Sequence, residues 1–276
     1  MLPVQARPSI GAGERLSRNR GPGMEFLDYR PYQEGDDTRH LDPYLYARTG
    51  DFVLRQYART QQLPVTVVLD LSGSMAAARD GKLERAKEIS QVLGFVALAG
   101  GDRVQIVVPS SDGLRFSDRW HGAARADFLF DWVAKQPTGK HVDFSGQLAD
   151  LRQHLPSRGL VVVISDWWDE NTAPALEGLF AADQEVLAIQ VLSEAEIDPS
   201  ALGQGVVTME DAESGDEIEL AVDADLINRY RDLFTARQDA LRGEFSGKNW
   251  HFITVSTKDD LNDLFTRTLR AKGVLS

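Results

Sequence analysis

The sequence has no cysteine. A disulfide framework, a thiolate metal site and a thiol nucleophile are thereby excluded, and the composition fits a reducing compartment. It also has no long apolar run. The stretch GLVVVI at 159–164 is only strand-sized, well short of the roughly 20 residues that a membrane-spanning helix needs. The first residues, MLPVQARPSIGAGERLSR, lack the apolar core of a signal peptide. A soluble, cytoplasmic protein without membrane insertion is expected. Basic charge is scarce as well, since 30 Lys and Arg against 42 Asp and Glu leave a net charge of −12. Phosphate binding needs a basic face, so nucleic acid is not the expected partner. Lysine is missing altogether from the first 60 residues, where nine Arg face eight acids, while the remaining 216 residues carry a net −13. An all-Arg set suits bidentate carboxylate pairing. These arginines are expected to dock their segment onto its own acidic domain. What is present in quantity is ordinary: 42% hydrophobic and 26% charged residues describe a globular chain with a substantial core.

Residues 1–60 are rich in Gly, Pro, Arg and Tyr and carry no sustained helical period. They read as an irregular segment of extended stretches and turns, with 30–42 as a polar loop. The pattern changes at Leu63. LPVTVVLD (63–70) is a continuous β-branched run, as expected of a strand buried on both faces. Asp80 or Gly81 then opens a helix whose apolar positions Leu83, Ala86, Ile89, Leu93 and Val96 follow a 3.6-residue period, stopped by Gly100 and Gly101. Strands follow at 104–109, 114–118, 160–166, 185–192 and 250–256, and helices near 124–135, 143–154, 173–182 and 259–272. Residues 205–223 read as an acidic hairpin turning at Ser214-Gly215. A long helix from Asp225 sets Leu226, Ile227, Tyr230, Leu233, Phe234, Leu241 and Phe245 on one face. Strands alternating with helices predict an α/β fold. Its mainly parallel, Rossmann-like central sheet has helices on both faces, the irregular N-terminal segment stands before it, and the acidic β-hairpin is an insertion. The expected division is 1–60, packed on or beside the main domain, and 61–276.

In an open parallel sheet, function collects at the carboxyl ends of the central strands. Two apolar strands end in oxygen-rich sequence. VVLD-LSGSM places Asp70, Ser72 and Ser74 at alternate positions, and VVVIS-DWWDE places Asp166 and Asp169 just past the strand. Alternate residues of an extended loop face one side, so the first three can direct oxygens at one point. Carboxylate and hydroxyl oxygens are hard ligands suited to Mg²⁺, Mn²⁺ or Ca²⁺. Serine and aspartate after a strand are also common turn formers and helix caps. The pattern gains force from its two buried strands and the amphipathic helix that follows the first.

DLSGSM followed by a strand-terminal ISD resembles the von Willebrand factor A domain with its metal-ion-dependent adhesion site. Upstream, GPGMEFLDYRPYQEGDDTRHLDPYLYARTG (21–50) is similar to the DUF58 proteins at Gly23, Glu25, Phe26, Arg30, Tyr32, Gly35, Asp36, Asp37, Arg39, Asp42, Ala47 and Arg48. The resemblance implies a von Willebrand A fold behind an N-terminal family segment. It also implies partnership with a MoxR-type AAA+ ATPase, in chaperone-like assembly or maturation of a client protein. Asp70, Ser72 and Ser74 match the first metal loop, and Asp166 the last acidic position. The middle loop departs from the pattern. HVDFSGQL (141–148) puts Val142 where a threonine is expected, ahead of Asp143. Valine cannot ligate a metal. Either the site is weakened, or Asp143, Ser145 or nearby Thr138 substitutes, or metal binding has been lost.

The expectation is therefore a non-enzymatic interaction module, with Trp167 and Trp168 as partner-binding candidates because aromatic residues are enriched at binding hot spots. At least one of the pair is expected to be buried against the helices. An alternative is a haloacid-dehalogenase-like phosphatase, which also places an aspartate at the end of its first strand. That chemistry needs a second carboxylate two residues on, where this chain has Ser72. A metal-free structural subunit is a further alternative. Phosphate-binding and nucleophile-elbow motifs are absent. The five histidines (40, 121, 141, 154, 251) form no ligand-spaced cluster, and His251 reads as a packing residue. The cluster Glu34, Asp36 and Asp37 could bind a cation or an arginine, and internal pairing with Arg30 or Arg39 is expected.

Overall fold

The two apolar runs that end in aspartate lie side by side at the centre of one sheet. The computed structural model describes residues 16–21, 25–60, 62–77, 81–139, 142–180, 184–202, 205–210, 216–248 and 250–269. The chain divides into a smaller unit, Gln5–Gln62, and a larger one that holds Leu63–Ser276.

In the smaller unit the extended stretches pair as an antiparallel sheet in the order β1 (Leu16–Gly21), β3 (Val53–Thr60), β2 (Glu25–Pro31). Between β2 and β3 stands a helix that apolar periodicity did not announce, α1 (Pro43–Thr49). Its start is local chemistry. The Asp42 carboxylate accepts the N–H groups of Tyr44 and Leu45, Pro43 takes the first turn, and Gly50 closes the helix at φ 78°. The same carboxylate accepts the Tyr29 hydroxyl and Arg55 Nε, each at 2.9 Å. The Arg55 guanidinium holds the Asp42 carboxyl below the usual carboxylate range. Arg30 pairs with Asp36 and Arg39 with Asp37, the internal pairing expected of those acids.

The larger unit contains, among its described residues, a seven-stranded sheet in the order β12-β9-β8-β4-β5-β6, with β7 also against β5. These strands are β4 (Pro64–Leu69), β5 (Arg103–Ser110), β6 (Gly113–Phe116), β7 (Trp120–His121), β8 (Gly159–Ser165), β9 (Gln184–Leu192) and β12 (His251–Ser256). The five from β12 to β5 run parallel, and β6 and β7 are antiparallel to β5. The acidic hairpin is the separate pair β10 (Gly205–Glu210) and β11 (Glu217–Val222); its expected turn at Ser214-Gly215 lies outside the described residues. The helices are α2 (Gly73–Ala77), α3 (Lys82–Ala99), α4 (Ala126–Ala134), α5 (Phe144–Leu151), α6 (Thr172–Ala175), α7 (Glu177–Phe180), α8 (Glu194–Ile197), α9 (Ala224–Gly247) and α10 (Leu261–Asp263), the last continuing as a π-helical turn, Leu264–Thr268.

The central strands are buried on both faces, which explains the uninterrupted apolar runs. Val65, Val67 and Leu69 of β4 point to the face covered by Ile89, Leu93 and Leu129, while Val68 points to the face of Leu148, Leu241 and Phe245. The fold is the α/β arrangement with a mainly parallel central sheet that the sequence predicts.

Helix α9 differs from its expected face. Its inward stripe is Ile227, Tyr230, Phe234, Gln238, Leu241 and Phe245, at helical spacing, and Leu233 lies off it, 72% exposed. The buried glutamine is met by polar partners. Gln238 Nε2 donates to Gln190 Oε1 at 2.6 Å, and Thr254 Oγ1 lies 3.1 Å from Gln190 Oε1 and 3.0 Å from Gln238 Oε1. Gln190 Nε2 in turn donates to the Asp166 carbonyl at 2.8 Å. Among the described residues no helix is long and apolar enough to cross a membrane.

Candidate functional site

The connection from β4 runs outward to β5, whereas β8 pairs with the opposite side of β4. The strand order therefore reverses between β4 and β8, the position at which open α/β sheets commonly bind their ligands. Asp70 and Asp166 stand at this switch point. The Asp70 N–H donates to the Ile164 carbonyl at 2.9 Å, continuing the β4–β8 ladder by one residue.

Both Asp70 oxygens are engaged inside the protein. Oδ1 accepts the Ser72 N–H at 2.9 Å and Oδ2 accepts the Ser165 hydroxyl at 2.7 Å. Burial, aided by the neighbouring Asp166 charge, pushes the Asp70 carboxyl up to about 6. The Ser72 and Ser74 hydroxyls face one another at 3.1 Å, and Ser74 is half-buried at the rim. Sequence reasoning named Asp70, Ser72, Ser74 and Asp166, and these four lie together at the ends of β4 and β8.

It missed Lys82. This residue opens α3 after Gly81, which turns at φ 80°, and its side chain is 1% exposed. The ammonium donates to Asp166 Oδ2 at 3.2 Å and to Glu196 Oε1 at 2.7 Å. Burial pushes this ammonium down, but the two carboxylates more than offset it and hold it above the ordinary lysine value. For Glu196 burial acts upward, and Lys82 beside it wins, leaving the carboxyl below its usual range.

The expectation of a divalent cation, Mg²⁺ or otherwise Mn²⁺ or Ca²⁺, is corrected by this arrangement. Among the described residues no group of three or more His, Asp or Glu is placed to hold a metal ion. The residues also do not fit one chemically. Both oxygens of Asp70 are already hydrogen-bonded from within, and Asp166 faces a fixed ammonium instead of an open coordination position. The proposed substitutes in the middle loop do not repair this. Thr138 is exposed, Asp143 caps α5 by accepting the Gly146 N–H at 3.0 Å, and Ser145 is half-buried in the first turn of that helix. The loop does reach the first one, since the Gly139 N–H donates to the Leu71 carbonyl at 2.8 Å. Val142, however, packs into the apolar cluster of Val107, Leu148 and Trp167 and does not point at a cation position. Val142→Thr should therefore bury an unpaired hydroxyl and cost on the order of 1–3 kcal/mol. Urea unfolding with and without Mg²⁺ checks this, and a cation-dependent gain in stability would contradict it.

The two tryptophans part company. Trp167 is 1% exposed, at φ 60°, with its indole N–H donating to the Ile189 carbonyl at 3.1 Å and its ring edge-on to Phe245 and Phe252. It belongs to the core, which corrects its assignment as a partner-binding residue. A left-handed backbone at a bulky residue is costly and persists only where packing holds it. Trp168 is half-buried. Its indole N–H donates to Glu196 Oε1 at 3.0 Å, and its ring lies 6.2 Å from Phe234, which is stacked 6.2 Å from Tyr230. The Tyr230 hydroxyl donates to the Glu196 carbonyl. Trp168, Phe234 and Tyr230 form an aromatic ledge beside the switch point. The histidines gather nowhere among the described residues: His154 rests on Phe116, His251 is exposed on β12, and His141 lies outside them.

The sequence model of the family described as "Protein of unknown function DUF58" matches residues 28–240. The chain is 30% identical over 217 residues to the uncharacterized protein Rv1480 of Mycobacterium tuberculosis, covering 76% of this chain and 68% of that one. The same figures describe its similarity to the uncharacterized protein Mb1516 of Mycobacterium bovis. Among solved structures it is similar to the conserved hypothetical protein BatB from Bacteroides thetaiotaomicron, with TM-score 0.43, 13% identity, and coverage of 76% of this chain and 98% of that one. It is also similar to the SpRpn10 VWA domain, with TM-score 0.45, 13% identity, and coverage of 78% and 100%. The family match takes in Asp70, Lys82, Asp166, Trp168 and Glu196 alike. The chain belongs to the DUF58 family.

Proposed function

We propose that this protein is a non-enzymatic interaction module, working in the cytoplasm, that engages another protein through the rim between β4 and β8. The observation that carries the reading is the aromatic ledge. Trp168 is partly exposed yet held by a hydrogen bond to Glu196 and by contact with Phe234. A pre-positioned aromatic side chain loses little freedom on binding, which is why such residues serve as interface anchors. Ser74 lies on the same rim, and Leu233 projects from the helix that carries Phe234, 72% exposed. The partner is a MoxR-type AAA+ ATPase, acting with this chain on a client protein.

Catalysis is disfavoured by the same geometry. A phosphatase nucleophile must reach its substrate with a free oxygen, and Asp70 is 3% exposed with both oxygens already hydrogen-bonded. Ser72 stands where the acid–base carboxylate would be needed. The test is binding of the MoxR-type ATPase encoded in the same genome, measured by calorimetry. Trp168→Ala is expected to weaken it by about tenfold or more while the melting temperature stays close to that of the parent. Unchanged affinity in the folded variant would place the interface elsewhere.

A further inference from the structure

The Lys82 ammonium sits where three chain segments converge. Its own helix α3 follows β4 and α2, Asp166 lies just beyond β8, and Glu196 lies in α8 just beyond β9. Each partner is committed from its other side. Asp166 Oδ1 accepts the Trp168 N–H at 3.3 Å, and Glu196 Oε2 accepts the Ser193 N–H at 2.7 Å within a reciprocal capping box that starts α8. Glu196 Oε1 is shared between the ammonium and the Trp168 indole N–H. One cation thus joins the start of α3 to the ends of two strands and, through Glu196 and Asp166, to both ends of the Trp168 residue. That bridging is the work a divalent ion does when it draws oxygen ligands from separate loops. A metal ion approaching Asp166 would stand beside a fixed like charge in a buried site, where such repulsion is weakly screened.

We propose that Lys82 is the resident cation of this rim: its ammonium takes the bridging role of a divalent ion, holds Trp168 in place, and lets the surface work without metal. The partner-binding part rests on the function proposed above, whereas the identity of the cation does not. Lysine is suited to the role because its ammonium offers three donors on a stem that packs along apolar surface. The stem here continues the buried stripe of α3, four residues before Ala86.

The test uses the full chain and nitrogen-detected spectra of its lysine side chains, with Mn²⁺ as the probe. A buried, ion-paired ammonium exchanges its protons slowly enough to be seen, and its side-chain carbons assign it. The expected result is a protected Lys82 ammonium resonance that equimolar Mn²⁺ leaves unbroadened. Calorimetry with Mn²⁺ or Mg²⁺ should show no saturable heat, and chelator should leave the melting temperature unchanged. Selective broadening of the Lys82 resonance by Mn²⁺, or saturable binding with a rise in melting temperature, would overturn the proposal. So would a Lys82 ammonium that exchanges as fast as those of exposed lysines. Failure of the ATPase to bind would sink the partner reading, and an intact, Mn²⁺-insensitive resonance would still establish the cation.

Discussion

Lys82→Met should cost the larger unit on the order of 3–5 kcal/mol of stability, the usual loss when one partner of a buried ion pair is removed. Methionine keeps most of the stem volume, so little of the effect comes from a cavity. The loss arises because Asp166, 4% exposed, is left charged beside Asp70 with no cation. Glu196 retains more access to water and suffers less, its side chain being 25% exposed. A second substitution makes the cause visible. In Lys82→Met/Asp166→Asn the stranded charge is gone, and part of the stability should return. The introduced amide oxygen would still accept the Trp168 N–H that Asp166 Oδ1 now receives. Denaturant unfolding of the parent, both single variants and the double variant gives the coupling directly. A loss below about 1 kcal/mol for Lys82→Met would mean that the ammonium is solvated and the pair contributes as little as a surface one.

The Asp70 carboxyl offers a second large effect, of opposite sign. Its value is pushed from 3.8 up to about 6 by burial first and by Asp166 second. A carboxyl whose folded value is raised holds its proton more tightly when folded. Its contribution is therefore fully present below the unfolded value and is lost as pH rises through about 6. Above that the chain must carry a buried charge that unfolding would relieve, and a shift of this size corresponds to roughly 3 kcal/mol. Asp70→Asn removes the charge but keeps the shape. Its carbonyl oxygen can accept the Ser72 N–H, and its amide can donate to the Ser165 oxygen once that hydroxyl turns. The variant should be more stable than the parent at pH 8 by about 2–3 kcal/mol, with the gain disappearing toward pH 4. A series of urea midpoints across this range tests it. A variant less stable than the parent at pH 8 would show that the charge of Asp70 is held by something favourable.

The centre of this structure was legible because its middle strands are buried on both faces. LPVTVVLD and LVVVISD stand out as uninterrupted runs, and the polar residues that end them mark the strand ends where the strand order reverses. Period and termination thus located Asp70 and Asp166, although 95 intervening residues separate them in the chain. Lys82 escaped because a lysine in the first turn of an amphipathic helix is usually solvated. The signal was present in the register: counting back four from Ala86, along the stripe through Ile89 and Leu93, lands on Lys82. Helix α1 escaped for a different reason. Its existence rests on Asp42 and Pro43 at its start, with no buried apolar stripe to betray it. Val142 was misplaced because a loop has no period. A shift of one residue between Val142 and Asp143 exchanges a core side chain for a helix cap, and nothing in the local sequence distinguishes them.

The amides beneath α9 act as a key in a lock. Most of this 24-residue helix faces water, and its buried contacts are few: Ile227, Gln238, Leu241 and Phe245. Apolar side chains alone would tolerate some sliding, since one greasy contact can replace another. Gln238 does not tolerate it, because its amide must meet Gln190 and Thr254 on two adjacent strands. Advancing the helix by one residue turns it by about 100° and strands buried donors and acceptors, each at roughly 1–3 kcal/mol. The helix therefore has one seating. Because Gln190 also holds the Asp166 carbonyl, that seating is mechanically continuous with the rim. Release of α9 cannot proceed by gradual slippage; it must break the Gln238 hydrogen bonds to Gln190 and Thr254 outright.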